Sequence, residues 1–211
     1  MVGEAQMSAA KREILRRIRE ANSGAAAVEE PRREYQQSGE ASVEALAKKL
    51  RDYNAGVSVC GPDEIPETIR MVMEQRVKSS LLIPAGLPAE WLPREVPFAV
   101  DQGLSYEAID RSEGALTGCT VAIASTGTIV LCHSASEGRR ALTLIPDYHL
   151  CVVLSDQIVG SVPEGVRLFA QFHGSPATMI SGPSATADIE MIRVKGVHGP
   201  RTLDVILVAR T

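Results

Sequence analysis

The sequence predicts an α/β fold organised around a mainly parallel sheet, and three observations carry that prediction. Between residues 57 and 100, short apolar runs alternate with an amphipathic segment, a strand–helix–strand rhythm typical of parallel sheets. Residues 122–153, AIASTGTIVLCHSASEGRRALTLIPDYHLCVV, hold two apolar strands around a Ser-Thr-Gly-Thr turn. A polar loop, an Arg pair, an apolar segment stopped by Pro146 and another apolar strand follow. Residues 177–180 and 204–209 are apolar enough to be central strands. A chain of 211 residues suffices for one such domain with a helical appendage, and 45% apolar and 23% charged residues are ordinary for a globular protein.

In chain order, residues 8–22 read as a helix. Ser8 supplies an N-cap, and Ile14, Leu15 and Ile18 form a narrow apolar stripe. Residues 23–40, rich in Ala, Glu, Gln and Arg, carry little apolar content and read as a linker. A second helix, 42–54, puts Val43, Leu46, Leu50 and Tyr53 on one face, with Gly56 as the C-cap candidate. Strand 57–60, helix 66–77 with Pro66 in its first turn, and strands 80–84 and 98–100 follow. The Pro-rich segment 84–97 around Trp91 reads as a surface loop. Residues 105–111 suit a short helix, and 120–124 with 128–132 suit paired strands about Ser125-Thr126-Gly127. Residues 137–144 read as a helical turn, 149–154 as a strand, and 163–172 as a helix with Val166, Phe169 and Phe172 facing inward.

Composition excludes several classes. Lys plus Arg is 22 against 26 for Asp plus Glu, a net charge of −4, and there are only three Phe, four Tyr and one Trp. Neither a basic face nor stacking residues are available for nucleic acid. No run approaches the roughly 18 apolar residues that span a bilayer. The N-terminus shows no signal-peptide core, and Glu13 and Glu20 argue against an organellar presequence, so a cytoplasmic location is expected. Cys60, Cys119, Cys132 and Cys151 include no close pair. They read as small buried hydrophobes in a reducing compartment, and no metal site is expected.

Several short stretches carry chemistry. In Ser125-Thr126-Gly127-Thr128, Gly127 permits a tight or left-handed backbone that exposes successive N–H groups. The hydroxyls of Thr126 and Thr128 add donors, which suits a carboxylate or phosphate as well as it suits a plain hairpin turn. Arg139 and Arg140 hold anions bidentately wherever they face a pocket. In SGPSATADIE, 181–190, Gly182-Pro183 breaks a strand, and Ser184 or Thr186 caps a short helix with Asp188 near its start. That gives either an anion site at the helix N-terminus or simple capping. His198, set among glycine-containing turns, is the candidate catalytic residue, as acid, base or anion donor. His149 reads as a hydrogen-bonded structural residue, and His133 and His173 as surface residues. Asp188 and Glu190 lie two apart and share no helix face, so a paired-carboxylate mechanism is not supported. The expected contacts to a small anionic ligand are thus Thr126, Gly127, Thr128, Arg139, Arg140, Ser184, Thr186, Asp188 and His198, at strand ends where α/β proteins hold such ligands.

Four blocks, ASTGTIVL, GRRALTLIPDYHLCVV, SGPSATADIE and GVHGPRTLDVILV, are collinear between about residues 114 and 208 and resemble the lactate utilization protein C, or LUD-domain, family. The resemblance implies the fold of ribose-5-phosphate isomerase, glucosamine-phosphate deaminase and CoA transferases (the NagB/RpiA/CoA transferase-like fold), with helices on both faces of the sheet. The chain is accordingly expected to comprise the N-terminal helix and linker, 1–40, and a LUD-type α/β domain, 41–211. It also implies a subunit or accessory protein of an iron–sulfur system oxidising L-lactate to pyruvate. Iron–sulfur and cysteine-rich subunits would be its partners, the clusters would sit in a partner, and this chain would hold no cofactor. The family often has an acidic residue where this chain has Ser125. A homo-oligomer stays open. Two other readings remain: a stand-alone isomerase or transferase acting on a sugar phosphate or CoA ester, and a structural or regulatory module docking through its first helix.

Overall fold

The computed structural model describes residues 9–23, 37–172, 174, 176–187, 193–195 and 199–209. The chain divides into two compact units, Met1–Tyr35 and Gln36–Thr211. In the first, α1 (Ala9–Asn22) is a 14-residue helix with no buried residue. Glu13 pairs with Arg16 and Arg17, and Arg16 with Glu20, at the three- and four-residue spacings that support a polar helix locally. The expected cap Ser8 lies outside the described residues.

In the second unit α2 (Val43–Asp52) begins at Ser42, whose hydroxyl accepts the Ala45 N–H at 3.1 Å. Asn54, at φ +63°, is the left-handed residue that ends it, so Gly56 is not the cap. Gly56 instead opens β1 (Gly56–Cys60), where a Cβ would stand 1.9 Å from the Asp204 carboxylate. The chain continues through α3 (Ile65–Gln75), β2 (Leu81–Pro84), β3 (Phe98–Asp101), α4 (Tyr106–Asp110), β4 (Ala115–Thr117), β5 (Val121–Ile123) and β6 (Thr128–Leu131). Next come α5 (Arg140–Leu144), β7 (Tyr148–Leu154), β8 (Ile158–Val159) and α6 (Val162–Phe169). It closes with β9 (Thr178–Ile180), β10 (Ala185–Ala187), β11 (Arg193–Lys195) and β12 (Thr202–Val208).

Six strands in the order β1-β12-β7-β4-β2-β3 form a wholly parallel sheet. The period-two alternation of a strand sorts their side chains into two layers. Tyr148, Leu150 and Val152 of β7, with Ile206 and Val208 of β12, pack on Ile65, Ile69, Val72 and Met73 of α3. Cys151, Val153, Val205 and Leu207 face the other way, onto Leu46 and Leu50 of α2 and onto Ala122, Ile129 and Leu131. Farther along that face, Leu82 and Ala115 pack on Ile109 of α4 and Leu142 of α5. The parallel sheet therefore carries helices on both faces, as expected.

A second sheet, β8-β5-β6-β9, completes that face, with β5–β6 and β6–β9 antiparallel and β5–β8 parallel. Several expectations are corrected here. β9 is an edge strand of this smaller sheet, not a central strand of the main one. Val166 and Phe172 are each 43% exposed, and only Phe169 packs inward, against Val121, Ile123 and Val130. Where residues 184–190 suggested a helix, Ala185–Ala187 is a strand paired antiparallel with Arg193–Lys195. Residues 37–40, read as linker, are tied to the domain: the Gln37 carbonyl accepts from the Ser161 hydroxyl at 3.1 Å and from Arg167 at 3.2 Å. No helix among the described residues is long and apolar enough to cross a membrane.

Candidate functional site

The C-terminal edge of the parallel sheet carries a cleft of about 560 Å³, lined by Pro84, Asp101, His133, Ser134, Arg139 and Arg140 among others. Its floor is where β2 ends at Pro84 and β3 ends at Asp101. The loop after β6 folds back over this edge. The Gly86 N–H donates to the Ala135 carbonyl at 3.2 Å, and the approach is so close that a Cβ on Gly86 would lie 2.6 Å from that of Ala135. Glu137, fully buried, staples the loop by accepting from the Thr120 hydroxyl at 2.5 Å and from the Ser134 N–H at 3.1 Å. His133 sits at φ +57°, an uncommon conformation for a side-chain-bearing residue. Its Nδ1 donates to the Gly138 carbonyl at 3.0 Å and its Nε2 meets the Thr178 hydroxyl at 2.9 Å. A carbonyl only accepts, so Nδ1 carries a proton.

The two arginines play different parts. Arg139 forms a fork with Asp101, Nε to Oδ2 at 2.7 Å and Nη2 to Oδ1 at 2.9 Å, and also donates to the Leu104 carbonyl. The Asp101 side chain is 3% exposed and that of Arg139 37%. The Arg139 guanidinium, helped by the Leu104 and Gly103 amides and opposed by burial, holds the Asp101 carboxyl below its ordinary range. The pair neutralises itself. Arg140 is exposed and, among the described residues lining the cleft, is the charged side chain without a carboxylate partner.

The remaining expected contacts are placed elsewhere. Thr126, Gly127 and Thr128 form the β5–β6 turn, which packs on α2. Gly127 has φ +64°, and a Cβ there would lie 2.8 Å from the Lys49 Cβ. The Thr126 and Thr128 hydroxyls share a hydrogen bond at 2.8 Å, and Thr128 shares another with Ser181 at 2.8 Å. Ser125 is exposed, its N–H donating to the Gly160 carbonyl at 3.2 Å. Ser184 lines a separate cavity of about 250 Å³ with Thr143, His149, Thr178 and Ser181. Thr186 lies in β10, where its backbone pairs with Val194. Asp188 and His198 lie outside the described residues. The structure thus unites Arg139 and Arg140 in one cleft and sets the Ser-Thr-Gly-Thr turn and Ser184 apart from it.

A model of the LUD domain matches residues 4–208. The chain belongs to the LUD-domain family. Among its relatives, a Lactate utilization protein C of Deinococcus radiodurans is 47% identical over 163 residues, 76% of this chain and 76% of that protein. A Lactate utilization protein C of Bacillus subtilis is 33% identical over 158 residues, 71% of this chain and 63% of the relative. With that of Shouchella clausii the match, at 33% identity, spans 47% of this chain and 45% of the relative, about half of each. The crystal structure of a DUF162 family protein from D. radiodurans is similar with a TM-score of 0.67 and 39% identity, covering 79% of this chain and 95% of that one.

Sequence reasoning missed several residues of this LUD-domain chain. Asp101 was legible in principle, as an acid ending the apolar run FAVD just before Gly103. His133, read as a surface residue, lines the cleft, and nothing local announces its positive φ or its bond to Thr178, 45 residues on. His149 is 1% exposed, with Nε2 2.8 Å from the Thr117 hydroxyl, and burial lowers its pKa to about 4. Its Nδ1 is without a hydrogen-bond partner among the described residues, a condition that costs about 1–3 kcal/mol if nothing answers it. Cys60, Cys119, Cys132 and Cys151 are all buried. Hydrogen bonding to Cys151 and burial push the Cys119 thiol up, and burial does the same at Cys60 and Cys132.

Proposed function

We propose that this chain serves lactate utilization as a subunit or accessory protein of an iron–sulfur L-lactate oxidation system, holding a small carboxylate beside Arg140. The observation that carries the reading is 47% identity, over 76% of both chains, to a protein named Lactate utilization protein C. The chemistry of the cleft agrees with it. Arg140 offers a planar donor fork suited to a carboxylate. The Asp101–Arg139 pair is closed on itself, so it adds no net repulsion toward an anion. The site's volume of about 560 Å³ admits a small 2-hydroxy acid together with a partner's side chains or water. In this reading the clusters belong to a partner.

The test is to purify the tagged full-length chain from its native cells, identify what accompanies it, and assay dye reduction dependent on L-lactate. The expected result is a cysteine-rich iron–sulfur protein in the eluate and lactate-dependent reduction. Arg140→Ala should weaken lactate dependence by on the order of tenfold, the loss of one charge-assisted contact, with the melting temperature kept. A chain that comes out alone, is inert to lactate and turns over a sugar phosphate or CoA ester overturns the proposal in favour of a stand-alone enzyme.

A further inference from the structure

The smaller cavity, about 250 Å³, holds an unanswered hydrogen-bond acceptor, and proton counting identifies it. The Thr117 hydroxyl, fully buried, donates its single proton to the Gly118 carbonyl at 2.9 Å, because a carbonyl oxygen can only accept. The 2.8 Å contact between that hydroxyl oxygen and His149 Nε2 therefore requires Nε2 to be the donor. A neutral imidazole protonated at Nε2 carries a bare lone pair on Nδ1. His149 lines the cavity, and its Nδ1 is the one buried side-chain nitrogen or oxygen without a partner among the described residues.

The neighbouring hydroxyls are already engaged. Thr143 donates to the Arg140 carbonyl at 3.2 Å, Thr178 meets His133 at 2.9 Å, and Ser181 meets Thr128 at 2.8 Å. The described lining contains no charged side chain, and Leu144, Ile180 and Leu203 supply apolar walls.

We propose that this cavity binds a small uncharged molecule bearing a hydroxyl, such as a short alcohol or diol, whose proton His149 Nδ1 accepts. Buried polar atoms of native proteins normally have a partner, and here a ligand hydroxyl supplies it. A carboxylate is selected against, because its charge would meet a lone pair in a cavity without a described cation. An ammonium group would find no described carboxylate. The cavity volume excludes a nucleotide or CoA ester. Burial keeps the ring neutral, with a pKa near 4, so the acceptor persists throughout the neutral range. The cavity shares no lining residue with the Arg140 cleft, and the proposal does not depend on the lactate reading.

Imidazole ¹⁵N NMR of the full-length protein tests it, with 1,2-propanediol as the probe and L-lactate as the anionic control. The expected spectrum shows His149 protonated at Nε2 and bare at Nδ1. Propanediol should shift the Nδ1 resonance saturably, and L-lactate should shift it far less. Thr117→Val, which removes the hydroxyl that sets the tautomer, and His149→Gln should each weaken diol binding about tenfold or more, the loss of one hydrogen bond to a buried acceptor. Arg140→Ala should leave it unchanged. If His149→Gln fails to fold, the tautomer and the titration of the unaltered protein decide. A proton on Nδ1, an unsaturable response to the diol, an immobilised water at Nδ1 that the diol does not displace, or a lactate response equal to that of the diol overturns the proposal.

Discussion

Arg139 and Arg140 are sequence neighbours of identical charge, yet the structure divides their work, and Arg139→Ala measures the division. Breaking a buried ion pair by deleting one partner costs about 3–5 kcal/mol. Two features reduce that figure here. Arg139 is 37% exposed, so solvent screens part of the interaction, and Asp101 keeps the Gly103 and Leu104 N–H bonds at 3.2 and 3.0 Å after the guanidinium is gone. About 1–3 kcal/mol remains. In a domain of this size each kcal/mol moves the melting temperature by about 2–4 °C, so Arg139→Ala should lower it by roughly 2–12 °C. Arg140→Ala, at an exposed position, should leave it within about 1 °C. The pH dependence supplies an independent check. The folded-state pKa of Asp101 is depressed, chiefly by Arg139, so its contribution is fully present above the unfolded value near 3.9 and is lost as pH falls through the folded pKa. The gap between the unaltered chain and Arg139→Ala should therefore hold from pH 7 to about 5 and narrow below about 4. Thermal and urea unfolding followed by circular dichroism across that range reads both effects. Equal destabilisation by the two variants, or a gap as wide at pH 3.5 as at pH 7, would refute the assignment of the stability to the Asp101–Arg139 pair.

Two further perturbations probe the rest of the domain. Gly127→Ala puts a Cβ 2.8 Å from the Lys49 Cβ at a residue with φ +64°, and it should cost about 1–3 kcal/mol in urea unfolding; an unchanged midpoint would mean that the turn does not pack on α2 as described. His149 has its folded pKa lowered to about 4, against about 6.5 unfolded, so the unfolded chain takes up the proton first and stability should fall by about 2 kcal/mol between pH 7.5 and 5. His149→Gln should flatten that part of the profile, and a variant whose profile superimposes on that of the unaltered chain would show the ring to be solvated.

The elements legible in the sequence were those specified by neighbours along the chain. Ser42 and Ser105 announce helix starts through bonds that reach only to Ala45 and Ala108, and the β1–α3–β2 rhythm needs only apolar spacing and Pro66. Of the second sheet the β5–β6 hairpin was legible from its turn, but the outer strands were not, because they join segments with no local signature of one another: Ala122 pairs with Ile158, and Ile129 with Ile180. The stretch 184–190 shows the same limit from the other side. Its capping-box spacing is a local preference, and a longer-range demand overrides it. Ser184 donates its N–H to the Pro200 carbonyl at 2.8 Å, and Ala185–Ala187 pairs as a strand.

At the candidate site the boundary falls within single residues. That an Arg pair after Gly138 suits an anion is a property of the side chain and is readable. Which Arg is available depends on Asp101, 38 residues before Arg139, which takes one guanidinium out of play and leaves the other. His149 behaves likewise. An imidazole at the head of a strand is ambiguous between donor and acceptor, and the ambiguity ends only at Thr117, 32 residues away, whose one proton is already committed to the Gly118 carbonyl. In both places residue type sets the range of chemistry, and a partner on another strand selects from it. Sequence alone therefore nominates candidates in this fold. Hydrogen-bond accounting across the parallel sheet decides which of them has a free charge or lone pair to offer a ligand.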